Sequence, residues 1–537
     1  MDPGHAQFLR AAEAAYRAGD LQRAGEIAEQ ATAKGHENSQ LLTLVAYHRM
    51  NQGDVERALL AAKRAWELAP QNVDAMNAVG ECLTRAGRLS DAIDVFDSAL
   101  VQAPGDAMLH FNAALALEQN GDVRRACEEF ERAFALDSLN VEAASRLAYL
   151  LATRGDMARA REFGLRALAL DRRQPYAGFA VALADIEDRN FDRAEAQLVE
   201  IMNMPQIGRV VRAIARSILG DALHAMGRQA EAFAAYAEAG KAMHELYAPA
   251  RGAEVEMALA RSRRLAAYVA KAPADAWASE PGASAVRSHV FLVGFPRSGT
   301  TLLGQILASH PDIAVLEEKR TLTHCADLVA TDQALDRFVA MGSAELAPYR
   351  AEYWRCAAGH GLGGGRDVLV DKMPLNSELL LLIAKLFPEA KIVFAIRDPR
   401  DVVLSCFRRR FNMNRQMYEL LTLEGAAAFY DSIMRLGEVY RGKLSLPFLD
   451  LRYEALVEDF ENQAKRLCSF VGVPYDTALA QFAEGARTRN ILTPSATQVV
   501  RGLYRQGVGQ WTAYRDQLAP VLPVLAPWVS RFGYSEG

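Results

Sequence analysis

Long apolar runs, paired cysteines and an excess of charge of either sign are all missing from these 537 residues. No stretch of eighteen apolar residues occurs, which excludes a helical membrane span of ordinary length. The N-terminus runs directly into a charged helical pattern without the apolar core of a signal peptide. The six cysteines (Cys82, Cys127, Cys325, Cys356, Cys406 and Cys468) form no C-x-x-C pair, so they read as free thiols of a reducing compartment rather than as disulfides or zinc ligands. A net charge of −5 argues against nucleic-acid binding by the whole chain. These absences predict a cytoplasmic protein, and a chain of this length is expected to hold more than one domain.

A period fills the first half. Glycines stand at Gly19, Gly53, Gly87, Gly121 and Gly155. Alanines follow five positions later at Ala24, Ala58, Ala92, Ala126 and Ala160, and again at Ala31, Ala65, Ala99, Ala133 and Ala167. Phe96 and Phe130 sit four residues after their first alanines, and Pro70 and Pro104 close two units. This spacing resembles the tetratricopeptide repeat, two helices per unit joined at the glycine. Small alanines let the helices approach, and the aromatic is expected to fill the groove between units. A sixth unit carries Arg189 in the glycine position. A seventh, shifted by four residues, uses Gly220, Gly227, Ala232, Tyr236 and Ala239. Such an array implies a superhelix that binds a peptide or protein partner, pairs two subunits, or acts as a spacer. Residues 1–270 are assigned to it, and residues 271–286, rich in Ala, Pro, Ser and Gly, to a linker.

From residue 287 to 537 the pattern changes to apolar strand candidates alternating with helices. The strands are expected at Val290–Val293, Ile313–Leu316, Val368–Val370, Ile392–Ile396 and Pro447–Leu451. Helices are expected at Leu302–Ser309, Asn376–Leu386, Arg400–Phe411, Glu424–Arg441 and Phe460–Val471. This predicts a multidomain chain: an all-α superhelix followed by an α/β domain with a P-loop-like parallel sheet. The loop Gly294-Phe295-Pro296-Arg297-Ser298-Gly299-Thr300-Thr301 lies between the first strand and its helix. Its glycine spacing is that of a phosphate-binding loop, but Thr300 stands where a nucleotidase carries lysine. A second strand ends in Arg397-Asp398-Pro399-Arg400 and leads to Ser405, an arginine and a hydroxyl suited to a phosphate monoester. The Arg408-Arg409-Arg410 run adds positive charge nearby.

Together the two stretches resemble the sulfotransferase family, whose donor is 3′-phosphoadenosine 5′-phosphosulfate (PAPS). The resemblance implies that Arg297, Ser298, Gly299, Thr300 and Thr301 bind the 5′-phosphate, and that Arg397 and Ser405 bind the 3′-phosphate. Leu316-Glu317-Glu318-Lys319-Arg320 is similar to the Glu-Glu segment of the tyrosylprotein type. That likeness implies Glu318 as general base, with Arg320 as the position that pairs with a carboxylate. His310 and His324 are the rival bases. Lys372 is implied at the bridging oxygen of the donor, Tyr453 beside the adenosine, Ser495 as a catalytic serine and Arg501 as a basic partner. Gly509-Gln510-Trp511 resembles the family's terminal tryptophan segment, expected to pack. No metal is expected. The implied partners are PAPS and a peptide, protein or other hydroxyl acceptor, with a tyrosine brought by the repeats as one such acceptor, and no nucleic acid. The alternatives are a P-loop kinase or nucleotidase, and an interaction scaffold whose transferase domain is inactive.

Overall fold

A computed structural model of the chain describes residues 3–248, 256–362, 365–488, 502–503 and 505–536. The chain divides into two compact units, Met1–Ala184 and Asp185–Gly537.

The first unit is all helix. Its pairs are Pro3–Arg17 with Leu21–Ala33, Ser39–Asn51 with Val55–Leu68, Val73–Arg85 with Leu89–Gln102, Ala107–Gln119 with Val123–Leu136, and Val141–Thr153 with Met157–Leu170. Each periodic glycine holds the turn inside a pair at φ between 73° and 86°, a left-handed conformation that costs glycine little. The residue after it starts the next helix. Asp20, Asp54, Asp122 and Asp156 accept hydrogen bonds from the backbone N–H groups three residues on, satisfying donors that a helix start leaves open. Arg88 stands at that point in the third pair and makes no such cap. All ten periodic alanines are fully buried. Phe96 and Phe130 share buried clusters with residues of the next pair (Leu109 and Ala113 for Phe96, Ala143 and Leu147 for Phe130) and also pack within their own pair. Phe96 lies over Gly80 of its own pair, where a Cβ would sit 2.5 Å from the ring. Phe130 meets Phe111 of its own pair with ring centroids 5.7 Å apart. For Phe96 the small neighbour that a large ring needs is Gly80 on the paired helix.

The second unit begins with further repeat-type helices: Phe191–Met202, then α1 (Arg209–Ala225), α2 (Gln229–Tyr247) and α3 (Ala258–Lys271). Arg189 adopts φ 61° in the turn where the earlier units use glycine. The segment expected as a linker contains a 3-10 turn, Ala274–Trp277, with Trp277 buried. Ser279 donates to the Lys385 carbonyl at 2.6 Å, and Arg350 donates to the Glu280 carbonyl at 2.8 Å.

The sheet has five parallel strands: β1 (Ser288–Gly294), β2 (Ile313–Glu317), β3 (Val368–Lys372), β4 (Lys391–Ile396) and β5 (Phe448–Arg452), in the order β2-β3-β1-β4-β5. Each of the five runs expected as a strand forms one. Val290 and Leu292 face one buried cluster, Phe291 and Val293 the other. Burial on both faces is why these strands read as continuous apolar runs rather than as an alternation. Helices α4 (Thr300–Leu307), α5 (Leu380–Leu386), α6 (Pro399–Phe407), α7 (Leu423–Lys443) and α8 (Phe460–Val471) accompany the sheet. The helix expected at Asn376–Leu386 is a 3-10 turn, Pro374–Leu379, followed by α5. Helices at Asp332–Ala340 and Ser343–Gly359, between β2 and β3, have no counterpart in the sequence reading. The longer one carries Pro348 inside it, a residue that normally marks a helix boundary. Because β3 and β4 flank β1 on opposite sides, the strand order reverses there, and the carboxyl ends around β1 form the crevice in which such sheets bind ligands.

Candidate active site

Apart from Ser405, which lies about two turns into α6, the described site residues predicted from sequence sit at or just beyond the carboxyl end of a strand. The loop after β1 turns through Arg297 at φ 70° and Gly299 at φ 100° before α4 begins at Thr300. A Cβ on Gly299 would lie 2.9 Å from the Tyr453 ring, so glycine is required both by conformation and by the approach of the segment after β5. Open N–H groups and the positive end of the helix dipole face the loop, the usual physical basis of phosphate binding.

One cavity gathers the predicted donor-binding residues. Arg297, Gly299, Thr300, Thr301, Arg397, Ser405 and Tyr453 line it, together with Arg408 and Arg409. Ser298 is buried in the same loop. Arg297 Nε donates to Ser405 Oγ at 3.0 Å, and Arg397 Nη1 donates to the Arg297 carbonyl at 3.2 Å. The Arg397 guanidinium also lies 5.1 Å from the Tyr453 ring centre. Among the described residues, no carboxylate lines the cavity. Burial, then repulsion from Arg409 and Arg397, pushes the Arg297 guanidinium down to about 9. It stays charged at neutral pH, and a bound anion would raise it again. Arg397 Nε is buried and has no hydrogen-bond partner among the described residues. Buried donors are normally satisfied, so a dianionic phosphoryl group suits this cradle.

The rest of the second motif is structural. Asp398 pairs with Arg400 at 2.7 Å and caps α6 by accepting from the Arg400 N–H. Arg400 lies 3.7 Å from the Trp511 ring centre. Asp401 accepts from the backbone N–H groups of Gly509 and Trp511 at 2.7 and 2.8 Å, and burial pushes its carboxyl up to about 6. The tryptophan segment is thereby tied to α6.

The candidate chemical groups form a second cluster, outside the residues that line the cavity. Strand register places Glu317 opposite Lys372. Lys372 is fully buried, forms an ion pair with Glu317 and donates to Glu318 Oε1 at 2.8 Å. Glu318 stands just past β2 at φ 51°, its N–H donating to the Lys372 carbonyl at 2.8 Å. Burial opposes the Lys372 charge, but the two carboxylates outweigh it and raise the ammonium above its ordinary value. Burial raises the Glu317 carboxyl, and the Lys372 charge only partly offsets this. The cluster touches α4: a Cβ on Gly304 would lie 3.2 Å from Glu317 Oε2 and 3.6 Å from Lys372 Cε.

Glu318 therefore has Lys372 as its cation, and among the described residues no carboxylate forms an ion pair with Arg320. The rival histidines are engaged elsewhere. His310 accepts from the Asp312 N–H at 3.1 Å and contacts the Pro474 carbonyl at 3.0 Å. His324 contacts the Tyr349 carbonyl at 3.0 Å. Ser495 and Arg501 lie outside the described residues. Sequence reasoning gave Glu317 no role; its signal is the strand register, which one sequence does not display. It also missed His224 of α1, which lines the cavity from the repeat side.

The profile described as the sulfotransferase family matches residues 289–477. A tetratricopeptide-repeat profile matches residues 44–107 and 111–177. The chain is 27% identical over 248 residues to an uncharacterised protein of Aquifex aeolicus (strain VF5), covering 44% of this chain and 32% of that one. It therefore spans about a third of that relative's length. Protein-tyrosine sulfotransferase 1 of Danio rerio is 23% identical over 273 residues, 46% of this chain and 72% of the relative. Protein-tyrosine sulfotransferase A of Caenorhabditis elegans is 27% identical over 273 residues, 48% and 70%. The chain carries a tetratricopeptide-repeat region followed by a sulfotransferase-family domain. No helix among the described residues is long and apolar enough to cross a membrane.

Proposed function

We propose that this protein transfers the sulfuryl group of PAPS to an acceptor hydroxyl, releasing adenosine 3′,5′-bisphosphate. The observation that carries the reading is the cavity wall. It joins the β1 loop to Arg397 and Ser405, holds four arginines and, among the described residues, no carboxylate. On this reading Arg297, Ser298, Gly299, Thr300 and Thr301 hold the 5′-phosphate, Arg397 and Ser405 hold the 3′-phosphate, and Tyr453 lies beside the adenosine. Glu318 takes the acceptor's proton as the acceptor oxygen bonds to sulfur. The bond from sulfur to the bridging phosphate oxygen breaks, and charge grows on that oxygen. Lys372 neutralises it by exchanging one of its two carboxylates for the leaving oxygen, which frees Glu318 to act as base. Ser495 and Arg501 assist the leaving side. The chemistry needs no metal.

The named activity of the two animal relatives supports a tyrosine of a peptide or protein as acceptor. The repeats of residues 1–270 would recruit it or pair two subunits, with residues 271–286 joining them to a catalytic domain at 287–537, in the cytoplasm. Isothermal titration tests the donor assignment. Adenosine 3′,5′-bisphosphate is expected to bind about a hundredfold more tightly than AMP, as a charged, buried phosphate contact implies. Arg397→Ala is expected to remove most of that difference. Equal affinities in the unaltered protein would refute the 3′-phosphate site.

A further inference from the structure

The Arg408–Arg410 run follows α6 directly, and a cation run of this kind is self-repelling unless something compensates it. The compensating carboxylate comes from a repeat helix 189 residues away in sequence. Asp221 of α1 forms an ion pair with Arg410 at 3.0 Å. Ser217, one turn earlier on α1, accepts from the same guanidinium at 3.0 Å. Tyr236 of α2 donates to Asp221 at 2.9 Å, and Arg408 lies over the Tyr236 ring at 5.4 Å. Tyr236 reaches Asp221 because Gly220 leaves its place open: a Cβ there would lie 2.5 Å from the ring. Burial opposes the Asp221 charge, but Arg410, Arg409 and Arg408 outweigh it and hold the carboxyl below its ordinary value.

One turn further along α1, His224 lines the same cavity as Arg297, Arg397, Arg408 and Arg409. Its Nδ1 is 2.8 Å from the Tyr514 hydroxyl, and the two rings stack with centroids 5.7 Å apart. Arg408 lies 5.6 Å from the same Tyr514 ring. Burial and the neighbouring arginines push the imidazole down to about 4. His224 is therefore neutral beside the arginines and offers a polar edge without adding a fifth cation.

We propose that the repeat pair α1–α2 is a wall of the nucleotide site: Asp221 is a positioning residue that pairs with Arg410 and directs Arg408 and Arg409 into the cavity, and His224 meets the phosphoryl group those arginines bind. The proposal rests on the donor site described under Proposed function. It makes the last repeat part of the enzyme's binding machinery in addition to any partner it docks. Its signature is selective. A phosphoryl group held by the arginine run senses Asp221, whereas a 5′-phosphate held by the β1 loop does not.

Titration of the full-length protein with adenosine 3′,5′-bisphosphate and with AMP tests this. Asp221→Asn is expected to weaken the bisphosphate about tenfold, the scale of a typical coupling between sites, while leaving AMP within about twofold. Asp221→Glu is expected to restore most of the loss. His224→Phe keeps the ring volume and is expected to weaken the bisphosphate about fivefold, a reading that stands even where Asp221→Asn does not fold. If both variants bind the bisphosphate like the unaltered protein, or lose bisphosphate and AMP affinity equally, the proposal is overturned while the donor site stands. If the unaltered protein itself fails to distinguish the two ligands, the donor-site reading is what fails.

Discussion

The regular repeats of the first unit and the last repeat pair of the second use the same helical hairpin for different ends. In the first unit the positions that matter recur every 34 residues: a glycine turn, two buried alanines and, in four of the five pairs, an aspartate cap. In α1–α2 the period slips by four residues, and Asp221, His224 and Tyr236 face the arginines and the cavity. Periodicity therefore marks packing, and its interruption marks where a repeat has another surface to serve. Loss of a packing residue should cost stability and leave ligand binding alone. Loss of a site residue should do more to binding and chemistry.

The largest effect is expected from Lys372→Met, which leaves Glu317 and Glu318 together without their cation. Breaking a buried pair costs about 3 kcal/mol or more. Four of the five tryptophans, Trp277, Trp354, Trp511 and Trp528, lie in the second unit, so fluorescence-detected urea unfolding reads this loss, and transfer should fall with it. Ala126→Leu should give the opposite pattern. It overpacks a fully buried position of the first unit and costs about 2 kcal/mol, read by circular dichroism, with bisphosphate affinity unchanged. If that affinity fell too, the contrast between the units would break.

The contrast also explains what a single sequence displays. The central strands were legible because burial on both faces makes β1 and β4 apolar runs, while the edge strand β5 shows as an alternation of buried and half-buried residues. The loop after β1 was legible because Gly299 must be glycine. The repeats were legible because one hairpin is written several times. Three features were not. The pairing of Glu317 with Lys372 depends on β2 lying beside β3, a fact of strand order. The helix Ser343–Gly359 hides behind Pro348. Asp221 and His224 carry only repeat-like neighbours in sequence, and their partners lie 189 and 290 residues away.

Two smaller effects sharpen the comparison further. Burial pushes the Glu378 carboxyl of the second unit up to about 7 from an ordinary 4.5, and Gln416 donates to it at 3.2 Å. The folded state thus holds a proton that the unfolded chain releases. This contribution is fully present below pH 4.5 and is lost as pH rises through about 7. Glu378→Gln should flatten that slope and raise stability at pH 8 by on the order of 2 kcal/mol, seen in thermal midpoints across the range. Arg88→Asn should supply the missing helix cap of the third repeat and add about 0.5–1 kcal/mol to the first unit. An unchanged dichroism midpoint would show that the caps of the other repeats contribute little.

Sulfuryl transfer with Glu318 as base is read most directly by the transfer of radiolabelled sulfate from PAPS to a tyrosine-containing polypeptide, by the unaltered protein and by Glu318→Gln. The unaltered protein is expected to label the phenolic oxygen. The variant should bind adenosine 3′,5′-bisphosphate normally and transfer about a thousandfold more slowly, the scale of a lost general base. Label transfer by Glu318→Gln at the unaltered rate, or no donor turnover by the unaltered protein with any hydroxyl acceptor, would contradict the account.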